Sequence, residues 1–390
     1  LGTPVDSVYV LRDRPSGSGT IKTTMNDLDF TARFTSGPLQ HVLVFGFEYD
    51  KESADLVRYL NQDTVIPPVS LLAPDPFEAF PGTQSTISQT PKTDTDTKGV
   101  YLTDTISLGP QWQLTGAVRY DDFHASFDQP LGHATHFEHT DAIWSPRAAL
   151  VYKPTQNSSL YFSYGTSFNP SAENLALSAS NSALPPEKDR TYEVGAKAQV
   201  LDNTLSLTAA IFDTEMNNAR ITDPLQPALQ TLAGTERVKG GEIGVQGHIT
   251  PQWEVVGGYT YLNPSAVGLA GAGVHGPIPN TAHNQANLWT SYDFGSGLEL
   301  GTGVNYISER FAGTDALLIP GAVGVPTVPG YATWDAMIGY RFNRSVTLQL
   351  NGLNLTDKYY FMNSYFTRPY ENHTVPGPGR TMLLTMRLSL

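Results

Sequence analysis

Cysteine is absent from the 390 residues. That excludes a disulfide framework, a thiolate metal site and a cysteine nucleophile. Charge is sparse: Asp, Glu, Lys and Arg make up 16% of the chain, where about 25% is usual for a soluble protein. Basic charge is the scarcer kind. With 24 Lys and Arg against 37 Asp and Glu, the formal net charge is −13. This argues against a nucleic-acid partner, because phosphate binding needs a basic face. No run of about 20 apolar residues occurs, which excludes a helical membrane span. The opening Leu1-Gly2-Thr3-Pro4 has no basic region, apolar core or cleavage motif, so it is not a signal peptide. The sequence reads as processed, or as starting partway through a longer protein.

What is present is 19 Tyr, 17 Phe, 35 Gly and 28 Pro, a composition suited to strands and turns. Strict alternation recurs along the chain. Leu28, Phe30, Ala32 and Phe34 alternate with Asp29, Thr31 and Arg33. Trp112, Leu114, Gly116, Val118 and Tyr120 alternate with Gln113, Thr115, Ala117 and Arg119. The last such run is Met382, Leu384, Met386 and Leu388 against Thr385, Arg387 and Ser389. A period of two marks a strand with one apolar and one polar face. Roughly fifteen or sixteen such runs, each of about ten residues, are expected. The sixteenth would lie at Val5 to Leu11.

The connections alternate as well. Short turns fall at Gly37-Pro38, Gly109-Pro110, Pro154-Thr155, Asp202-Asn203, Pro251-Gln252, Ser296-Gly297 and Asn343-Arg344. Long polar or Gly/Pro-rich loops are expected between them, at 51–96, 122–143, 169–190, 214–236, 263–283, 307–330 and 356–378. A soluble sandwich or a propeller does not explain that order, and no blade-like repeat is visible. An antiparallel transmembrane β-barrel does explain it. Trp112, Tyr120, Tyr152, Phe162, Tyr164, Trp253, Tyr259, Tyr261, Trp289, Tyr292, Tyr340 and Phe342 stand near strand ends, where aromatic girdles meet the membrane interfaces.

Several segments resemble a known family in its order. They begin with Trp144-Ser-Pro-Arg-Ala-Ala-Leu-Val-Tyr-Lys-Pro154 and Ser159-Leu-Tyr-Phe-Ser-Tyr-Gly-Thr-Ser-Phe-Asn-Pro170. Tyr192-Glu-Val-Gly-Ala-Lys197, Arg237-Val-Lys-Gly-Gly-Glu-Ile-Gly244 and Asn351-Gly-Leu-Asn-Leu-Thr-Asp-Lys-Tyr-Tyr360 follow. Together they resemble the barrel of TonB-dependent siderophore receptors of the Gram-negative outer membrane, across roughly 26–390. The resemblance implies a barrel of about 22 strands around a plug, TonB as energy-coupling partner, outer-membrane lipid around it, and a ferric siderophore as transported ligand. No plug-like sequence is present, so residues 1–390 are expected to be the C-terminal portion of such a barrel. Asp6-Ser-Val-Tyr-Val10 is read as strand rather than as a TonB-contacting box. The final Leu390 departs from the terminal aromatic usual in these barrels.

No phosphate loop, Gly-x-Ser-x-Gly elbow or His-Glu-x-x-His helix occurs, so no enzyme and no resident cofactor is expected. A siderophore is a bulky, often anionic chelate and requires aromatics and cations at its mouth. Tyr365, Phe366, Arg368 and Tyr370, with Arg310 and Phe311, offer that mixture. Asn351, Asn354 and Asp357 are read as shaping a strand end. His133, His136 and His139 are the alternative, a metal or haem cluster, weighed against a solvated loop. The haem branch carries a Phe-Arg-Ala-Pro box. Phe168-Asn169-Pro170 stands at the matching place, which favours a siderophore over haem. The other readings are a passive porin of about sixteen strands, a cobalamin receptor, and a barrel enzyme.

Overall fold

The computed structural model describes residues 9–10, 17–60, 68–70, 72, 75, 86–131, 134–170, 181–222, 230–269, 274–312, 326–368 and 371–389. Fifteen long strands form one continuous barrel wall. They are β1 (Gly17–Ser36), β2 (Leu39–Tyr59), β3 (Lys92–Leu108), β4 (Trp112–Gln129) and β5 (Thr135–Thr155). Then come β6 (Ser158–Asn169), β7 (Glu187–Val200), β8 (Leu205–Thr222), β9 (Gln230–Thr250) and β10 (Trp253–Leu269). The last five are β11 (Asn284–Asp293), β12 (Leu298–Ile307), β13 (Tyr331–Arg341), β14 (Val346–Leu353) and β15 (Thr381–Leu388). Each pairs antiparallel with the strand before it in sequence.

The two end strands are each paired on one side only among the described residues: β1 with β2, and β15 with β14. Both are exposed along their whole length, on both faces. Among the described residues no pairing joins β1 to β15. Of the run at Val5 to Leu11 only Tyr9–Val10 is described, and these two pair with Val69–Ser70 outside the wall; the rest lies outside the described residues.

The pairing register sorts the side chains into two faces. One row of directly opposed residues reads Leu114, Leu150, Phe162, Val194, Ile211, Gly241 and Tyr261. A second reads Tyr292, Leu300, Ile338, Leu350 and Leu384. All but Gly241 are large, apolar or aromatic, and exposed. This outer face inverts the usual rule of apolar residues inside. The inner face carries Asp27, Asp29, Glu48, Arg119, Glu193, Glu242 and Asp335. Among the described residues there is no single apolar core. The small clusters around Phe123 and Ala125, and around Ala219 and Ala266, are local.

Leu384 lies on the outer face at 64% exposure, as expected. Val255 lies on that face too, two residues from Trp253, but is covered to 9% exposure. Trp289 departs from the expected girdle. It faces inward, where its ring lies across Gly301 and Gly303 on the next strand. A methyl group at Gly303 would come within 2.6 Å of that ring. Girdle rings that do face outward satisfy their polar tips. Trp253 Nε1 donates to Thr290 Oγ1 at 2.7 Å, Trp334 Nε1 to Thr302 Oγ1 at 2.7 Å, and Tyr259 Oη to Asn284 Oδ1 at 2.7 Å.

The loop bounds are corrected most. Residues 122–129 and 135–143, expected in one loop, extend β4 and β5 instead. The ends of β2, β8 and β9 likewise run into the spans expected as loops at 51–96 and 214–236. In β4 and β5 the ladder continues while the faces exchange character: Phe123, Ala125, Phe127 and Phe137 cluster on the inner face, and His124, Ser126, Asp128, His136 and Glu138 take the outer one. Short turns close the opposite end. Gly37 and Gly109 take φ of 61° and 65° there, which glycine adopts without steric cost.

Candidate functional site: the mouth at the long-loop end

Three long connections meet beyond the ends of β10 to β14. The first ends at Asn280, after the short strand Val274–Gly276. The second carries Arg310–Phe311, paired with Thr327–Val328. The third carries a hairpin, Phe361–Arg368 with Glu371–Pro376.

Polar side chains tie the three together. Asn280, held at φ 58°, donates its backbone N–H to Phe311 O at 2.8 Å. Its side-chain Nδ2 donates to Ser364 O at 2.6 Å, and its Oδ1 accepts from Ser364 N–H at 3.0 Å. Arg310 Nη2 donates to Phe361 O and Met362 O, both at 2.8 Å. Arg310 is 4% exposed. Burial lowers its pKa, because an apolar surrounding disfavours the charged form. Arg310 Nη1 and Ser364 Oγ are buried without a protein partner.

A second clamp fixes the base of the hairpin. Asn354, at φ 48°, donates Nδ2 to Lys358 O at 2.9 Å and Pro378 O at 3.1 Å, and its Oδ1 accepts from Lys358 N–H. Its own N–H donates to Asp335 Oδ1 at 2.7 Å on the inner face of β13. Asp357, at φ 52°, accepts from Arg380 N–H at 2.8 Å. Asn351 accepts at Oδ1 from Gln349 Nε2 at 2.9 Å. Asn354 and Asp357 take the strand-end roles expected of them, whereas Asn351 lies within the β14 ladder.

The expected ligand residues are thus placed unequally. Arg310 sits beneath the hairpin and holds its backbone, with Phe311 beside it. Tyr365, Phe366 and Arg368 lie on the hairpin strand, opposite His373, Asn372 and Glu371. Tyr370 lies outside the described residues. Asn280 was not singled out by sequence. Its only signal is the Pro-Asn-Thr context of a turn, shared with many residues that tie nothing together.

The two described histidines of the expected cluster, His136 and His139, do not converge. His136 and His139 are three apart on β5, so they point to opposite faces. On the outer face His136 meets Asp128 at 2.7 Å and Glu138 at 3.3 Å. On the inner face His139 meets Asp141 at 2.9 Å and Ser182 O at 2.7 Å. His133 lies outside the described residues. Among the described residues, no group of three His, Asp or Glu could hold a metal ion.

Below the mouth the inner face is polar and internally braced. Arg119 bridges β2 and β4, meeting Glu48 Oε2 at 2.7 Å and Asp121 Oδ1 at 2.7 Å. Tyr161 Oη donates to Glu193 Oε1 at 2.6 Å, and Lys197 Nζ lies 5.4 Å from the same ring. Tyr161 and Tyr101 lie across Gly195 and Gly46, as Trp289 does across its glycines.

An apolar outer face, a polar inner face, short turns at one end and braced loops at the other define a transmembrane receptor barrel. The model of the TonB-dependent receptor-like β-barrel matches residues 3–355, and the chain belongs to that family. It is 33% identical to the probable TonB-dependent receptor BfrD of Bordetella pertussis, over 93% of this chain and 52% of that protein. It is 31% identical to the catecholate siderophore receptor Fiu of Escherichia coli K12, over 94% of this chain and 51% of Fiu. The crystal structure of the siderophore receptor PiuA from Acinetobacter baumannii superposes with a TM-score of 0.80 at 29% identity, covering 95% of this chain and 56% of PiuA. The chain thus spans about half the length of the relatives it matches. Barrels of this family reside in the Gram-negative outer membrane.

Proposed function

We propose that this chain forms the wall and the extracellular mouth of a receptor that imports a ferric siderophore in a TonB-dependent manner. The observation that carries the reading is the mouth itself. Asn280 and Arg310 clamp the hairpin that bears Tyr365, Phe366 and Arg368, on a wall related to siderophore receptors. Aromatic faces would take the flat ligand groups of the chelate, and cations would take its charge. Arg310 serves from beneath, as a positioning residue. Tyr370 and Phe311 complete the proposed surface.

The wall supplies the conduit. A plug inside it and the contact with TonB would come from the rest of the receptor, and no covalent chemistry is required of the chain. The test is binding of ferric catecholate, ferric citrate and haem to the full-length receptor, followed by uptake of radioactive iron with and without TonB. Saturable binding of one ferric siderophore and TonB-dependent uptake are the expected result. Steady single-channel conductance from the full-length protein, without saturable binding, would sink the reading in favour of a passive porin.

A further inference from the structure

At the short-turn end of the wall, three polar side chains on the outer face join in one hydrogen-bond chain. Ser36 is the last residue of β1 and directly precedes the Gly37-Pro38 turn. His41 lies early in β2 and Asp104 late in β3. Ser36 Oγ is 2.7 Å from His41 Nε2, and His41 Nδ1 is 2.8 Å from Asp104 Oδ2. A carboxylate only accepts, so Nδ1 of the neutral ring carries the proton and Nε2 accepts the Ser36 hydroxyl. This is the order of a nucleophile, a general base and the carboxylate that orients the base. No motif announces it, since the serine sits in Thr35-Ser36-Gly37-Pro38 rather than in a Gly-x-Ser-x-Gly elbow.

The register brings the three together. His41 directly opposes Phe34 on β1 and Ile106 on β3. Ser36 and Asp104 are the same-face residues two positions away on those strands, within diagonal reach. The imidazole stacks on the Phe34 ring, with centroids 4.7 Å apart and 2° between the planes. The His41 side chain is 10% exposed, whereas Ser36 is open to the surroundings. The ring is therefore held while the hydroxyl it serves stays accessible. Asp104 Oδ1 is buried without a partner.

The surroundings suit an ester. Gly37, next after the serine, takes φ 61°, and its N–H donates to no group among the described residues. Nothing lies within 4 Å of the place a Cβ would take there. The N–H after a nucleophilic serine is one donor of an oxyanion hole. Ser36 opposes Leu39, Leu39 opposes Leu108, Leu108 opposes Trp112, and Trp112 opposes Tyr152. Ser36 thus shares a row with the girdle aromatics Trp112 and Tyr152, which mark the level where apolar lipid meets water. Phe34 and Leu108 are exposed beside it for an acyl chain.

We propose that Ser36, His41 and Asp104 form a second, hydrolytic site, acting on the acyl ester of a bilayer lipid in the leaflet at the short-turn end. Ser36 Oγ bonds to the ester carbonyl carbon as its proton passes to His41 Nε2. The bond from that carbon to the alcohol oxygen then breaks, and His41 gives the proton to the departing alcohol. Water, giving its proton to the same imidazole, cleaves the acyl-serine and releases the carboxylic acid. Asp104 acts through His41, as a positioning residue. The site lies at the opposite end of the wall from the mouth and does not rest on the siderophore reading.

The test uses full-length receptor in vesicles of phosphatidylethanolamine with radiolabelled acyl chains. Release of fatty acid and covalent labelling by a fluorophosphonate are the readouts. The parent protein should release fatty acid and carry the label on Ser36, located by peptide mass. Ser36→Ala, which removes one exposed hydroxyl, and His41→Ala should each lower release about 100-fold or more. Asp104→Asn should lower kcat at least about tenfold with KM unchanged, a split that loss of a mere strand staple would not produce. Heat-modifiable gel migration and ferric siderophore titration should stay as in the parent protein. A parent protein unlabelled at Ser36, or release that persists in folded Ser36→Ala, would overturn the site. Hydrolysis of soluble p-nitrophenyl butyrate without hydrolysis of the lipid would overturn the assignment of the substrate.

Discussion

Asn280 and Ser364 hold each other by two hydrogen bonds, one in each direction, across 84 positions of sequence. The Asn side chain serves here as a strand edge would, offering one donor and one acceptor to the backbone of the hairpin. It makes the last long connection a rigid extension of the one after β10.

Asn280→Ala should therefore free the hairpin without unfolding the wall. Ser364 O loses the Asn280 donor, while Ser364 N–H keeps Asn363 Oδ1 at 2.9 Å, so the local cost is about 1–3 kcal/mol. Limited proteolysis should gain a cut within 361–376, and siderophore affinity should fall. Unchanged cleavage would show that other contacts hold the hairpin.

Arg310→Lys separates charge from geometry. Lysine keeps the charge but cannot present the same fork of donors to Phe361 O and Met362 O. If Arg310 positions the hairpin, Arg310→Lys should behave nearly as Arg310→Ala, in both proteolysis and binding. Full rescue by Lys would show that its charge acts on the ligand directly.

The two faces of the wall can be read by paired substitutions. Leu350→Arg, on the outer face of β14, should cost about 2–4 kcal/mol near the bilayer midplane. Gln349→Arg, one residue earlier and facing inward, should cost far less. Urea titration of the protein refolded into lipid vesicles measures both, and equal costs would reverse the assignment of faces.

Arg119→Met removes the one cation between Glu48 and Asp121. The Asp121 side chain is only 4% exposed. Leaving it unpaired should cost about 3 kcal/mol, the low end for breaking a buried pair because Arg119 is partly wetted. The double change Arg119→Met with Asp121→Asn should recover part of that loss in the same titration. No recovery would mean that Arg119 acts mainly through Glu48.

The wall was legible in sequence because lipid and water impose different chemistry on alternate residues. Leu28 to Phe34, Trp112 to Tyr120 and Met382 to Leu388 all lie in wall strands where alternation placed them. The pattern faded where the constraint did. Residues 122–129 and 135–143 read as loop because polar residues take the outer face there while Phe123, Ala125, Phe127 and Phe137 cluster inward. Trp289 read as girdle because alternation alone does not say which face an aromatic takes, and the glycines that receive it lie on another strand. In the mouth, the aromatic and cationic composition was visible, but its clamp was not. Asn280, Arg310 and Ser364 come from three connections, and nothing local to any of them announces the other two.

Every wall strand pairs with its sequence predecessor, and none crosses over. Such a ladder is modular. Two adjacent strands joined by a short turn can be removed or inserted, and their neighbours still meet antiparallel with the same faces outward. Girth can therefore change in steps of one hairpin, by recombination at turns such as Gly37-Pro38 or Pro251-Gln252, without redesigning any remaining strand.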